Sequence, residues 1–482
     1  MKSLLYQFRR YKLASSLNLL GLIIAFTACY VLLTQINYIG SYNHGIKDYE
    51  NIRRVYVNGT TGEGEWSWVC ARVVAENFKK CPQVKSVGYL RDYGEIRFDK
   101  DGSPITTPSY LISDDMLTTI NTELVDGTLD GAKAIDGGII IPASLAEKYF
   151  GEMMVAGRSM KLSDGAVRNV VGVYKDFPVN CNFTNAVCLS MGDENIDNIS
   201  NWNYMIYLCT DGDVDINALN TTLKNTYGDL IRTYYGDIKE VKEYMQKIKF
   251  SVLSLNETYI NGYDPSCDRG NKLVYYVLQM AVVLLLLVAL INFANFSMAQ
   301  APIRLRNINT RKVMGESNRV LRLQLGTEGC IVSLGAFVVA MLLACGISKW
   351  EHIGEYTNGS LAISDNIDVV FLLAVTSIIL GVLATFYSAR YITSFQPALA
   401  LKGNFGLTPK GRFLRQILVG LQLAMAFIMV VFVGIIYCQR NYIYNSDYGY
   451  DKDEVLFADL NESKIADTSI LLNLVILVNP FQ

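Results

Sequence analysis

The chain has 482 residues, 51% of them hydrophobic and only 18% charged, with a net charge of −2. That balance argues against bulk nucleic-acid binding, and two histidines, His44 and His352, are too few for a His-based triad or a multi-His metal site. The apolar content comes in blocks, as in an integral membrane protein with a sizeable polar part.

Residues 2–12 carry Lys2, Arg9, Arg10 and Lys12 and no acid. Residues 13–36 then run without charge, long enough to cross a bilayer. A signal peptide shares this shape, and Thr27-Ala28-Cys29 is faintly like a lipoprotein cleavage site. The run is long for a signal, and the later topology needs it as a retained first span. Residues 37–271 form a large polar region. IRRVYV (52–57), GGIIIP (137–142) and VRNVVGVY (167–174) read as strands, being rich in Val, Ile and Tyr. Residues 69–80 and 213–248 read as helices, Pro82 stops the first, and QVKSVGYL follows it as a strand. The region is an α+β domain large enough to hold its own core.

Further charge-free runs predict a second span at 273–291, a third at 329–347, a fourth at 369–389 and a fifth at 416–439. Between the second and third lie Arg304, Arg306, Arg311, Lys312, Arg319 and Arg322 against one acid, Glu316. Residues 390–415 carry only basic charge (Arg390, Lys402, Lys410, Arg412, Arg415), whereas 348–368 are acidic. The three basic pieces share one side only if there are five spans with the N-terminus inside. Arg440, just past the fifth span, is a mild exception. The domain at 37–271 and the tail then lie outside. This is a multi-pass α-helical membrane protein of about five spans, with a large α+β extracytoplasmic domain between spans one and two.

Ten cysteines occur without CxxC pairs. Cys29, Cys330, Cys345 and Cys438 fall in apolar runs, as small buried hydrophobes do. Cys70, Cys81, Cys181, Cys188, Cys209 and Cys267 fall in the outer region, where disulfides are allowed but the pairing is open. An internal echo links QINYI (35–39) to QRNYI (439–443), and GIKDYENI (45–52) to GYDKDEVL (449–456). It reads as the start of a second copy of the first half, broken off at an apolar run too short to span.

No nucleotide site is apparent. GEMMVAGRS (151–159) has one residue too many between its glycines for a phosphate loop and Arg158 in place of Lys, so it reads as a surface turn. DGDVDIN (211–217) lacks the Gly and Glu of a calcium loop and reads as a helix N-terminus. The spans hold no Asp, Glu, Lys or Arg in their interiors; Asn292, Asn295 and Gln422 are their main polar residues. Any transport must therefore draw its energy from a partner. The basic loop at 300–324 is longer than a tight turn, and Met314-Gly315 breaks its helical pattern as an elbow would.

In its order of elements the chain resembles the MacB-like, FtsX-like ABC transporter permeases, of the double-permease type but cut short early in the second half. ALINFANFSMAQ (289–300) is similar to the end of the family's second span, and RLRNINTRKVMGESNRVLRLQLGTEG (304–329) to its signature loop. The loop departs from the family pattern where a Glu is usual, and Glu316 stands where a small residue is common. SARYITSFQPALALKG (388–403) resembles the segment closing the permease domain, and IIIPASLAEKYFG (139–151) with VVGVYKDFPVN (170–180) the periplasmic core domain.

The resemblance implies a division into 1–36 (basic segment and first span), 37–271 (periplasmic core domain), 272–403 (permease domain), 404–439 (linker and fifth span) and 440–482 (start of an incomplete second periplasmic domain). It implies a bacterial inner-membrane location and a non-catalytic subunit without cofactor or metal. The partners implied are a separate ABC ATPase subunit, a second permease in a homodimer or heterodimer, and a periplasmic adaptor or envelope protein. Arg304, Arg306, Arg311, Lys312, Met314, Gly315 and Arg319 would form the ATPase-coupling loop. Gln324 and Glu328 would open the third span, and Pro397, Leu401, Lys402 and Gly403 would close the permease domain. The expected function is ATP-driven movement of the periplasmic domain that exports or extracts a substrate. The alternative is a membrane-anchored sensor or scaffold that regulates an envelope partner without transport. An outer-face enzyme is disfavoured, because the outer domain offers only His44 and no nucleophile elbow.

Overall fold

The computed structural model describes residues 12–58, 66–129, 137–192, 196–212, 214–264, 270–355, 357–394 and 409–446. Helix α1 (Lys12–Gly40) carries the first charge-free run. Its outer end is tied down at once. Tyr42 stacks on Tyr259 with ring centroids 3.8 Å apart and donates its hydroxyl to the Cys181 carbonyl at 2.9 Å. Asn43, at φ 67°, donates its side-chain amide to Leu255 O and Asn182 Oδ1, both at 2.6 Å. Asn is among the few residues that accept this backbone conformation cheaply.

The outer domain follows. Its elements in order are β1 (Ile52–Asn58), β2 (Trp66–Ser67), β3 (Cys70–Ala71), α2 (Arg72–Phe78), β4 (Val84–Lys100), β5 (Ser103–Ile112), α3 (Met116–Thr119), β6 (Leu124–Gly127) and β7 (Gly138–Pro142). Next come α4 (Ala143–Phe150), β8 (Ser159–Lys161), β9 (Val167–Tyr174), β10 (Val187–Ser190), β11 (Trp202–Thr210), α5 (Ile216–Tyr235), α6 (Lys239–Lys247), β12 (Lys249–Ser254) and α7 (Leu255–Asn261). These strands form one mixed sheet in the order β12-β1-β11-β4-β5-β10-β7-β9-β6, with β2 on β1, β3 on β11 and β8 on β9. The β10–β5 and β7–β9 pairs are parallel and the other ladders antiparallel. The β4–β5 hairpin turns at Asp101-Gly102, both at positive φ (51° and 81°), the Asp-Gly signature of a turn that matches strand twist.

Among the described residues three buried clusters pack on this sheet, two of which hold α5 and α4. In one, α5 buries Leu219, Leu223, Tyr227, Leu230 and Ile231, a helical stripe, against Phe78 of α2 and the β1–β11–β4–β12 strands. In the other, Ile139 and Ile141 of β7 pack with Leu145 and Ala146 of α4 and Val170 and Val173 of β9. β7 is buried along its whole length, which explains its unbroken apolar run.

The chain returns to the bundle in α8 (Lys272–Ala299), α9 (Ala301–Val313), α10 (Asn318–Ile347) and α11 (Ile367–Ser394). Leu22, Phe26 and Tyr30 of α1 are wholly buried among Phe293, Phe337, Ala340, Leu373 and Ala384. α10 and α11 cross through glycines. A Cβ on Gly329 would lie 2.5 Å from Thr385 Cγ2, and one on Gly381 would lie 2.8 Å from Cys330 Cα. Small residues are what allow such close approach in lipid, where apolar burial alone gives helices no reason to associate. Ser297 and Ser388 hydroxyls, 2.6 Å apart, link α8 to α11. The far side of the bundle shows lipid-suited residues such as Leu342, Phe371 and Phe386. A separate unit begins at Pro409 and holds α12 (Pro409–Asn445), the fifth helix among the described residues long and apolar enough to span.

The architecture is the expected one, with altered boundaries. Residues 69–80 split into a short strand and a helix, because Cys70 and Ala71 pair with Tyr204 and Trp202 of β11. Residues 213–248 form two helices broken at Gly236, which sits at φ 81°. The third span begins at Asn318, where Ser317 caps the helix, so the eleven residues 318–328 that the sequence left outside the span are helical. GEMMVAGRS is an exposed turn apart from buried Val155 and Met160 beyond it, and Asp215 is the N-cap of α5.

Among the described residues no disulfide joins Cys29, Cys70, Cys81, Cys188, Cys209, Cys330, Cys345 or Cys438. Burial pushes the Cys70 and Cys188 thiols up from 9.0 to about 12. Iodoacetamide at pH 8 should therefore spare both in the folded chain and label both in denaturant, as read by peptide mass spectrometry. Labelling of the folded chain at the rate of a free thiol would contradict this. The same shift means that their contribution to stability is present below pH 9 and is lost as pH rises toward 12.

Candidate functional site

The basic segment is two helices meeting at an elbow. α9 begins with a proline in its first turn and ends with Arg311 and Lys312 in its last, where cations suit the helix dipole. It closes in a Schellman turn. Gly315 N–H bonds to the Lys312 carbonyl at 3.0 Å and Glu316 N–H to the Arg311 carbonyl at 3.1 Å. Gly315 lies at φ 97° with open space where a Cβ would stand, so backbone conformation, not crowding, calls for glycine there.

α9 is amphipathic and anchored. Ala301, Leu305 and Ile308, spaced by four and three, are buried against Leu321 and Leu325 of α10 and Ala389 and Ile392 of α11. Several cations of the loop turn inward. Arg304, 12% exposed, meets Glu328, 10% exposed, at 3.4 Å and donates to Gln300 Oε1 at 2.7 Å. Burial lowers its affinity for the proton, and Glu328 opposes that. Arg311 bonds to Gln324 and pairs with Glu316 at 2.5 Å. Lys312 donates to the Thr393 carbonyl, and Arg322 donates to Thr393 Oγ1 at 2.8 Å. Burial lowers the Lys312 ammonium below its usual range, and nearby Arg322 adds to that.

The elbow itself points outward. Met314 is 83% exposed, Val313 66% and Leu323 71%, and Arg319 is exposed beside them. The result is an apolar knuckle with a basic flank, carried on a helix that both neighbouring spans hold. Ser15 of α1 lines a cavity of about 20 Å³ with Phe293, Gln300, Arg304, Glu328 and Thr385, so the start of the first span and the basic elbow share one end of the bundle. The other end faces the outer domain, where Gln35 exchanges two hydrogen bonds with the Asn358 backbone at 3.1 and 2.8 Å.

The structure thus brings together Arg304 with Glu328, and Arg311 with Gln324, while Met314, Gly315 and Arg319 form the outward tip. Arg306 lies on α9. Pro397, Leu401, Lys402 and Gly403 lie outside the described residues. Gln300 and Thr393, which hold three of these cations, were not singled out from sequence. Gln300 could have been, standing four residues before Arg304. Nothing in the sequence pointed to Thr393.

Residues 15–226 match the MacB-like periplasmic core domain, and residues 280–397 match the FtsX-like permease C-terminal domain. Together these two matches run from the first span to the end of the fourth. Among solved structures, one is a domain assigned to a permease of Porphyromonas gingivalis, at 21% identity and TM-score 0.37, covering 48% of this chain and 98% of that one. A second is the periplasmic region of MacB from Actinobacillus actinomycetemcomitans, at 13% identity and TM-score 0.31, covering 45% and 92%. A third is the extracellular domain of the noncanonic ABC-type transporter YknZ from Gram-positive bacteria, at 14% identity and TM-score 0.30, covering 42% and 100%. No curated protein matches.

Proposed function

Because the chain belongs to the MacB-like, FtsX-like ABC transporter permeases, we propose that a separate ATPase docks on the elbow at 313–323 and drives movement of the outer domain. The protein is a non-catalytic inner-membrane permease subunit with an extracellular domain. The mechanistic reading rests on one observation. The exposed Val313-Met314-Gly315 tip is carried on a short helix whose apolar stripe and cations are both fastened to α10 and α11.

A push on the tip therefore reaches the third and fourth spans together, with little slack between. The basic end of the bundle then lies in the cytoplasm with the N-terminus. α1 and α8 would carry the motion outward, since both run into the Tyr42–Tyr259 stack at the base of the outer domain. Export or extraction of a substrate is the work such a movement would perform. Pairing with a second permease, and contact with an envelope adaptor, belong to the same proposal. Pro397, Leu401, Lys402 and Gly403 are proposed to close the permease domain.

Arg311 and Lys312 are held within the chain, so docking is best probed at the tip. Met314→Asp with Arg319→Glu should abolish co-purification of the ATPase from host membranes, a loss of about tenfold or more, while insertion and thermal stability stay unchanged. The ATPase is identified by its phosphate-loop peptides and by ATP hydrolysis in the eluate. Undiminished capture by the double variant would sink the docking proposal.

A further inference from the structure

The outer domain carries a groove of about 640 Å³ between the end of α5, α6 and the β3–β11 edge. Its floor is buried Tyr227, Ile231 and Val241, and its walls are Trp202, Tyr235 and Tyr244. Tyr235 is 54% exposed and neighbouring Ile238 48%, although α5 ends here in solvent where polar residues would suffice. A volume in the range of small-molecule pockets, with aromatic walls, is the usual form of a ligand site.

The charges around it are biased. Arg232 is taken by Asp229 at 2.9 Å and Asp237 at 3.8 Å, Lys242 by Asp237 at 3.1 Å, and Lys239 by Glu243 at 3.6 Å. Among the described residues Glu240 is the one charged residue lining the groove, and it forms no ion pair there. Tyrosine and tryptophan faces attract cations through the ring quadrupole. Aromatic walls beside an unneutralised carboxylate favour a positive guest and disfavour an anion.

We infer that this groove binds a small amphipathic cation, with its apolar body against Trp202 and Tyr235 and its positive group beside Glu240. The site does not rest on the docking proposal, because loss of ATPase capture would leave the groove intact.

Rhodamine 6G, a cationic dye, serves as the probe and fluorescein, its anionic relative, as the control. The full chain is placed in phosphatidylcholine nanodiscs, and fluorescence polarisation is read against empty nanodiscs. Saturable rhodamine 6G binding is expected, with quenching of tryptophan emission. Tyr235→Ala and Glu240→Gln, both at exposed positions, should each weaken it about five- to tenfold, and fluorescein should not compete. Absence of saturable binding overturns the inference. So does binding that both variants leave unchanged, or equal competition by fluorescein, which would mark an apolar surface without charge selection.

Discussion

Replacing Asp264 by alanine is expected to cost about 3–5 kcal/mol of stability, the usual penalty for removing one carboxylate from a buried ion pair. Arg54 is fully buried and Asp264 is 4% exposed. The guanidinium sits 5.5 Å from the Tyr56 ring centroid and 5.3 Å from that of Tyr207, and donates to the Tyr207 hydroxyl at 3.1 Å. An arginine cannot shed its charge to escape such a site, so the carboxylate must stay. β1, which carries Arg54, lies between β12 and β11, and Asp264 precedes α8 by only a few residues. The pair therefore fastens the sheet to the chain that enters the second span. Thermal unfolding of the full chain in detergent should fall by roughly 10 °C. The paired change Arg54→Met with Asp264→Ala should recover most of that loss, because it removes both charges. A shift under about 2 °C for Asp264→Ala would refute the assignment.

Gly381→Leu is expected to be almost as damaging. Even a methyl group at Gly381 would meet Cys330 Cα at 2.8 Å and the Gly329 carbonyl at 2.9 Å. Both contacts are backbone, which cannot rotate away, so α10 and α11 must separate. Overpacking of this kind costs about 3 kcal/mol, and the same two helices hold the elbow. The variant should lose most of its monodisperse fraction on size exclusion. Gly335→Leu on α10, with open space around its Cβ position, should behave as the parent chain. Equal behaviour of the two variants would show that the glycine crossing is not tight.

How much of this could be read beforehand depends on the range of the interaction. Spans were legible because a charge-free run of bilayer length has few other uses. Strands β7 and β9 were legible from their Val and Ile runs, and the elbow from Met314-Gly315. Strand pairing was not. β10 lies between β5 and β7, an arrangement set by packing of residues far apart in sequence. The two arginines of IRRVYV look like solvent-facing charges, yet both are buried, since Arg53 reaches Thr210 and Arg54 reaches Asp264. Arg311 and Lys312 read as free docking cations for the same reason. Their partners Gln324 and Thr393 stand 13 and 81 residues away, and one of them is a backbone carbonyl that no motif can announce.

The central claim is that energy enters at the tip of the elbow. A photo-crosslinking amino acid placed at position 314 tests it most directly, with position 342, an exposed site on the apolar face of α10, as the control. Irradiation of host membranes should give an adduct between the position-314 variant and an ATP-hydrolysing subunit, and none from position 342. An ATPase adduct from position 342 alone, or from neither position while the ATPase still co-purifies, would place the docking surface elsewhere.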